Sequence, residues 1–75
     1  MKAVILACVH NAGPSQMAAA LFNRVADPAK ARAFSAGTNP GDRVHPAVVS
    51  VMREDGIDLG AARPQKLTPA LAAQA

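Results

Sequence analysis

Three observations predict an α/β fold built on a parallel sheet. Residues 3–7 form a continuous apolar run, AVILA. A helix-period pattern follows it after a Gly-containing breaker, and a second strand-like run, ARAFSA, follows the helix. A strand–helix–strand order implies parallel strands joined by a right-handed crossover.

The AVILA run reads as a strand buried on both faces, as in a parallel sheet. Asn11 to Pro14 breaks it. From Ser15 the pattern turns helical, with Met17, Leu21 and Val25 four apart and Ala18 and Phe22 flanking them, which predicts one apolar face. The helix is expected to end near Ala26, ahead of Asp27-Pro28. ARAFSA, residues 31–36, is the second strand, and GTNPGD, residues 37–42, is a loop.

A second helix is predicted to start near His45-Pro46, with proline in its first turn. Val48, Val51, Met52 and Asp55 share one side of it, and Val49 sits at the margin. Gly56 suits a left-handed helix ending, with Ile57 folding back toward Met52. Residues 59–67 look irregular. Thr68-Pro69 is an N-cap and first-turn pair for a third helix. Two parallel strands alone leave sheet edges exposed on both sides, so the chain reads as the first part of a longer α/β domain, with residues 1–75 as a single partial domain.

Size and composition narrow the function classes. Seventy-five residues suffice for one small domain. The chain is 51% apolar but has two Phe and no Trp or Tyr, so the core is expected to be thin. The net charge is +3, from eight basic residues dispersed along the chain. A nucleic-acid footprint clusters its basic residues and adds aromatics for stacking. Neither is present, so no nucleic-acid partner is expected. A small oxyanion suits the charge equally well. No apolar run approaches the ~20 residues of a membrane span. The N-terminus lacks the pattern of a signal peptide. A cytoplasmic protein without a membrane partner is the expectation.

The chemistry concentrates in CVHNAGPS, residues 8–15. Cys8 is the only cysteine, which excludes an internal disulfide and argues against a cysteine-rich zinc site. No metal or cofactor is expected. Cys8 stands at the end of a strand and the mouth of a helix. Loop amides and the helix N-terminus favour negative charge there and lower a thiol's pKa. The same amides suit a tetrahedral oxyanion. Ser15 is placed to donate to the thiolate, Asn11 to brace the loop, and Gly13 to allow close backbone approach. The competing reading is a small buried hydrophobe, the commoner fate of a lone cysteine. His10 is either a modulator of the thiolate or a solvent-facing loop residue. His45 reads as a helix-start residue. Arg43, Arg53 and Arg63 read as surface arginines.

With these residues in place, the chain resembles the low-molecular-weight protein tyrosine phosphatase family, and its arsenate reductase branch in particular. The family loop is Cys, five residues, Arg, then Ser or Thr. Cys8, Asn11 and Ser15 match it, and VHNAG has the wording typical of the arsenate reductases. The likeness continues through SQMAAALFN, SAGT at residues 35–38, VHPAVVSVMREDGIDL and RPQKLT.

The resemblance implies the N-terminal β-α-β-α portion of a flavodoxin-like, three-layer domain. It implies Cys8 as nucleophile toward phosphorus or arsenic. It further implies an oxyanion cradle of Val9, His10, Asn11, Ala12, Gly13 and Ser15, with arsenate, phosphate or sulfate as the oxyanion. In the reductase branch a second thiol resolves the arsenate–cysteine adduct. With one cysteine, that thiol is expected from outside, of the glutathione, mycothiol, glutaredoxin or thioredoxin type.

Two departures qualify the expectation. Pro14 stands where the family has its arginine, and it supplies neither a side-chain donor nor a backbone N–H. The family's general-acid Asp falls beyond residue 75, and Asp27-Pro28 does not align with it. The chain is therefore expected to be an impaired relative. The alternative is a non-enzymatic remnant that binds oxyanions weakly or self-associates through an open sheet edge.

Overall fold

A computed structural model describes residues 2–75. Its elements are β1 (Lys2–Cys8), α1 (Pro14–Val25), β2 (Ala31–Gly37), α2 (Pro46–Glu54) and α3 (Pro69–Ala72). β1 and β2 pair in parallel, from Lys2 opposite Ala31 to Cys8 opposite Gly37. α1 packs against both strands. The predicted elements are present, with both strands running one residue further at their C-terminal ends than expected. Pro14 is the first residue of α1, and Pro46 and Pro69 open α2 and α3 in the same way. A helix start tolerates proline because its first N–H groups have no intrahelical partner.

The helix endings follow local chemistry. Gly56 takes a φ of 78° after α2. The Ile57 N–H then donates to the Met52 carbonyl at 2.9 Å, and the Gly56 N–H to the Arg53 carbonyl at 2.9 Å. This is the paired bonding of a Schellman ending. Thr68 Oγ1 accepts from the Leu71 N–H at 3.1 Å and caps α3.

Packing departs from the sequence expectation in three places. First, β1 is not buried on both faces. Val4, Ile5 and Leu6 are half-buried, and Lys2 and Ala7 are exposed, because of the three helices only α1 packs closely against β1. Second, the Met17–Leu21–Val25 row does not face the sheet: Leu21 is 43% and Val25 85% exposed. The buried residues of α1 are Ser15, Gln16 and Ala19. Third, Val51 of α2 is exposed while Met52 is buried. Most of the apolar core is alanine, namely Ala12, Ala19, Ala33 and Ala36, completed by Val44, Met52 and Leu59.

The two sheet edges also differ, where both were expected to be open. On the outer side of β2, the Ala31 N–H donates to the Asp27 carbonyl at 3.0 Å. The Asn23 side-chain amide grips Ala33 at both ends, accepting from its N–H at 2.7 Å and donating to its carbonyl at 2.9 Å. Gln65 Nε2 donates to the Ser35 carbonyl at 2.8 Å. Gly37 bonds to the Gln65 carbonyl and the Leu67 N–H, each at 2.8 Å. Each outward residue of this edge, Ala31, Ala33, Ser35 and Gly37, thus has at least one backbone group bonded. Among the described residues, nothing pairs with the outer side of β1.

Candidate functional site

The loop between β1 and α1 brings Cys8, Asn11 and Ser15 together. Cys8 Sγ lies 2.9 Å from Ser15 Oγ and 3.1 Å from the Asn11 N–H, which donates to it. Ser15 Oγ also accepts from Asn11 Nδ2 at 2.8 Å. An amide NH₂ can only donate, so the Ser15 hydroxyl keeps its own hydrogen for the sulfur. The Cys8 thiol is held below its ordinary pKa, first by the Ser15 hydroxyl. The backbone N–H groups of Asn11, Ser15 and His10 act in the same direction, against an opposing effect of burial.

Asn11 organises the loop. It is fully buried and takes a positive φ of 52°, a conformation that Asn adopts more readily than most residues. Its side-chain oxygen accepts from the Gln65 N–H at 2.9 Å and from Gln16 Nε2 at 3.2 Å. Gln16 Nε2 also reaches the Asn11 carbonyl at 3.1 Å and the Arg63 carbonyl at 3.3 Å. Buried polar groups require such partners. Among the described residues, no buried side-chain polar atom is left without one.

Val9, His10 and Ala12 fix the loop through their carbonyls, which accept from Asn39, Gly41 and His45 N–H groups at 2.8–2.9 Å. Gly13 is the buried residue that precedes α1, and its carbonyl accepts from the Met17 N–H at 3.1 Å. The His10 side chain is exposed, and its Nδ1–H donates to the Asn39 carbonyl at 3.1 Å. Pro14 is exposed at the first position of α1. A shallow cavity of about 220 Å³ opens beside Cys8, lined by Leu6, Ala7, Pro14, Ser15 and Ala18.

Gly37, at the end of β2, lies against the loop. A Cβ there would sit 2.5 Å from the Val9 carbonyl oxygen and 3.0 Å from the Asn11 backbone nitrogen. The sequence reading missed Gly37, Gln16 and Gln65 as parts of this site. RPQKLT and SAGT contain two of them, but nothing in either segment shows that it folds onto the loop.

Arg43, Arg53 and Arg63 do not approach Cys8. They line a separate and larger cleft of about 520 Å³ with Val44 and Leu59. We attach the chemistry to the smaller cavity because it contains the polarised thiol. Among the described residues, no three His, Cys, Asp or Glu side chains come together as a metal site, and no helix is long and apolar enough to cross a membrane.

Comparison with known proteins extends this picture. The family model for low molecular weight phosphotyrosine protein phosphatase matches residues 3–75. A Halobacterium salinarum protein named "Putative arsenate reductase" is 38% identical over 65 residues, covering 81% of this chain and 46% of that protein. The thioredoxin-dependent arsenate reductase of Corynebacterium glutamicum superposes over the whole chain, with a TM-score of 0.89 and 35% identity, and 39% of that protein is covered. The YwlE arginine phosphatase of Geobacillus stearothermophilus gives a TM-score of 0.88 at 27% identity, with 100% of this chain and 49% of that one covered. A YwlE mutant from Bacillus subtilis gives 0.90 at 28%, with 100% and 53% covered.

These likenesses show a flavodoxin-like α/β fold, of which the chain spans about half the length found in its relatives. With a family model matched along nearly all of its residues and relatives that include arsenate reductases and phosphatases, the chain belongs to the low molecular weight phosphotyrosine protein phosphatase family.

Proposed function

We propose that Cys8 is an oxyanion-directed nucleophile whose turnover is impaired by proline at position 14. The observation that carries this reading is the Ser15 hydroxyl at 2.9 Å from the sulfur, with the Asn11 N–H at 3.1 Å. Both donors favour thiolate, the nucleophilic form. The oxyanion is tetrahedral, arsenate or phosphate. Val9, His10, Asn11, Ala12, Gly13 and Ser15 surround it, with their N–H groups as the cradle.

In the reductive reaction, the Cys8 sulfur forms a bond to arsenic and one arsenate oxygen leaves as water, taking its protons from solvent. An external thiolate then attacks Cys8 Sγ. A disulfide forms, and the sulfur–arsenic electron pair stays on arsenic, which departs as arsenite. On a phosphoester the same attack gives a cysteinyl phosphate and releases an alkoxide that takes up a proton. Position 14 would normally stabilise the equatorial oxygens by a bidentate cation. Pro14 has no donor of either kind. Loss of one preorganised donor costs about 10²–10³ in rate, and loss of a bidentate cation is expected to cost at least as much. Oxyanion binding that outlives turnover is the consequence, which also describes a non-enzymatic remnant.

The test is alkylation of Cys8 by iodoacetamide with and without arsenate, alongside arsenate reduction with glutathione or with thioredoxin and its reductase. Arsenate is expected to protect Cys8, and turnover to stay near the Cys8→Ser background. Unprotected alkylation at saturating arsenate would overturn the site. Fast, Cys8-dependent reduction would overturn the impairment.

A further inference from the structure

Every carbonyl of the loop from Cys8 to Gly13 accepts a hydrogen bond, and one of the donors is unlike the rest. The Cys8, Val9, His10, Ala12 and Gly13 carbonyls accept from the backbone N–H groups of Thr38, Asn39, Gly41, His45 and Met17, at 2.8–3.1 Å. The Asn11 carbonyl is held by a side chain instead, Gln16 Nε2 at 3.1 Å. The same atom faces Asn11 Oδ1 at 3.2 Å and the Arg63 carbonyl at 3.3 Å. All three neighbours are acceptors, so the atom is the amide nitrogen.

The held carbonyls set where the N–H groups point. No peptide bond is cis, and across a planar trans peptide the C=O and the following N–H point opposite ways. With the carbonyls tied outward, the N–H groups turn inward. Asn11 shows which side is inward: the His10 carbonyl before it is bonded to Gly41, and the Asn11 N–H donates to Cys8 Sγ at 3.1 Å. Asn11 then takes its positive φ of 52°, and successive N–H groups at such a residue converge on an anion. The next N–H in the series is that of Ala12. Ala12 is 3% exposed, and among the described residues its N–H meets no acceptor. A buried N–H without a partner is rare and costly.

We infer that Gln16 is a positioning residue: by holding the Asn11 carbonyl, it aims the Ala12 N–H at the oxyanion beside Cys8. This role rests on the proposed function of Cys8. Pro14 removes one N–H from the same loop, so each remaining N–H carries more of the anion's charge. Gln16 is buried among Asn11 and Arg63, on groups the described residues supply in full. It does not act through the sulfur. Without Gln16, Asn11 Oδ1 still has the Gln65 N–H, and Cys8 still has the Ser15 hydroxyl and the Asn11 N–H.

Gln16→Met keeps the length of the side chain and removes the donor. Sulfate affinity, read from the amide chemical shifts of isotope-labelled protein, is expected to fall roughly 10-fold, the lower end for a hydrogen bond to a charged group. The pH midpoint of Cys8 alkylation is expected to stay where it is. An unchanged affinity would overturn the role, and so would a midpoint that shifts with the affinity, which would make Gln16 a general support of the loop. The unsubstituted protein gives a check that does not depend on how the variant folds: sulfate is expected to shift the Ala12 amide. Shifts at Asn11 and Gly13 that pass over Ala12 would overturn the role. A last readout needs no ligand. The Ala12 HN–Hα coupling reports its φ, and so the orientation of the Asn11–Ala12 peptide, and is expected to change in Gln16→Met. An unchanged coupling would overturn the hold of Gln16 on that peptide. A changed coupling with no loop amide responding to sulfate would uphold the hold and overturn the oxyanion reading of Cys8.

Discussion

The backbone N–H of Gln65 sets which way the Asn11 amide faces. An N–H must meet an acceptor, so the atom 2.9 Å away is Asn11 Oδ1, and Nδ2 is turned to Ser15. A residue 54 positions along the chain thus fixes the direction of the hydrogen bond that ends on Cys8. Asn11→Asp keeps the acceptor for Gln65 and replaces the donor with a second acceptor. Ser15 would then donate to the carboxylate instead of the sulfur. The Cys8 pKa is expected to rise above the free-cysteine value of about 8.5, read from the pH dependence of alkylation.

Ser15→Ala removes the largest influence that lowers the Cys8 pKa. Reactivity at neutral pH should fall, and the alkylation midpoint should move up. The stability consequence has a definite sign. A thiol whose folded pKa lies below its unfolded one stabilises the fold fully above the unfolded pKa and loses that contribution as pH falls through the folded one. The stability gap between the two proteins is therefore expected to widen from neutral pH toward about pH 9. Urea unfolding at several pH values measures it.

Gly37→Ala places a methyl group 2.5 Å from the Val9 carbonyl oxygen. Backbone cannot yield as a flexible side chain does. The expected cost is about 1–3 kcal/mol, the range for overpacking, together with a slower alkylation of Cys8 as the loop shifts. A melting point equal to that of the unsubstituted protein would contradict the geometry.

Pro14→Arg restores a planar cation at the exposed first position of α1. A hydrogen bond to a charged group contributes about 1.5–3 kcal/mol, so arsenate or sulfate should bind roughly 10–100-fold more tightly. Protection of Cys8 against alkylation gives the affinity directly. An unchanged affinity would remove position 14 as the defect.

The elements were legible because their signals are local. AVILA, Asp27-Pro28 and Gly56 each act within a few residues, and the loop from Cys8 to Ser15 carries its own turn chemistry. The packing of α1 was not legible from apolar content. Ser15 must face Cys8, and Ala19, one turn on, then faces the sheet with it. Met17, Leu21 and Val25 are two residues out of phase with that pair, about 200° around the helix. The site, not the hydrophobic pattern, sets the rotation of α1. Gln65 escaped notice because its partners Asn11 and Ser35 lie 54 and 30 positions away, and Gln16 because the loop must turn back before its side chain meets Asn11, five residues earlier.

Asn23 has a role beyond the strand it touches. Its amide occupies both backbone groups of Ala33, so β2 cannot accept another strand at that point. An exposed strand edge is a template on which other chains can pair and aggregate. Asn23 thus acts as a terminator on this side of the sheet, and strand pairing cannot propagate past β2.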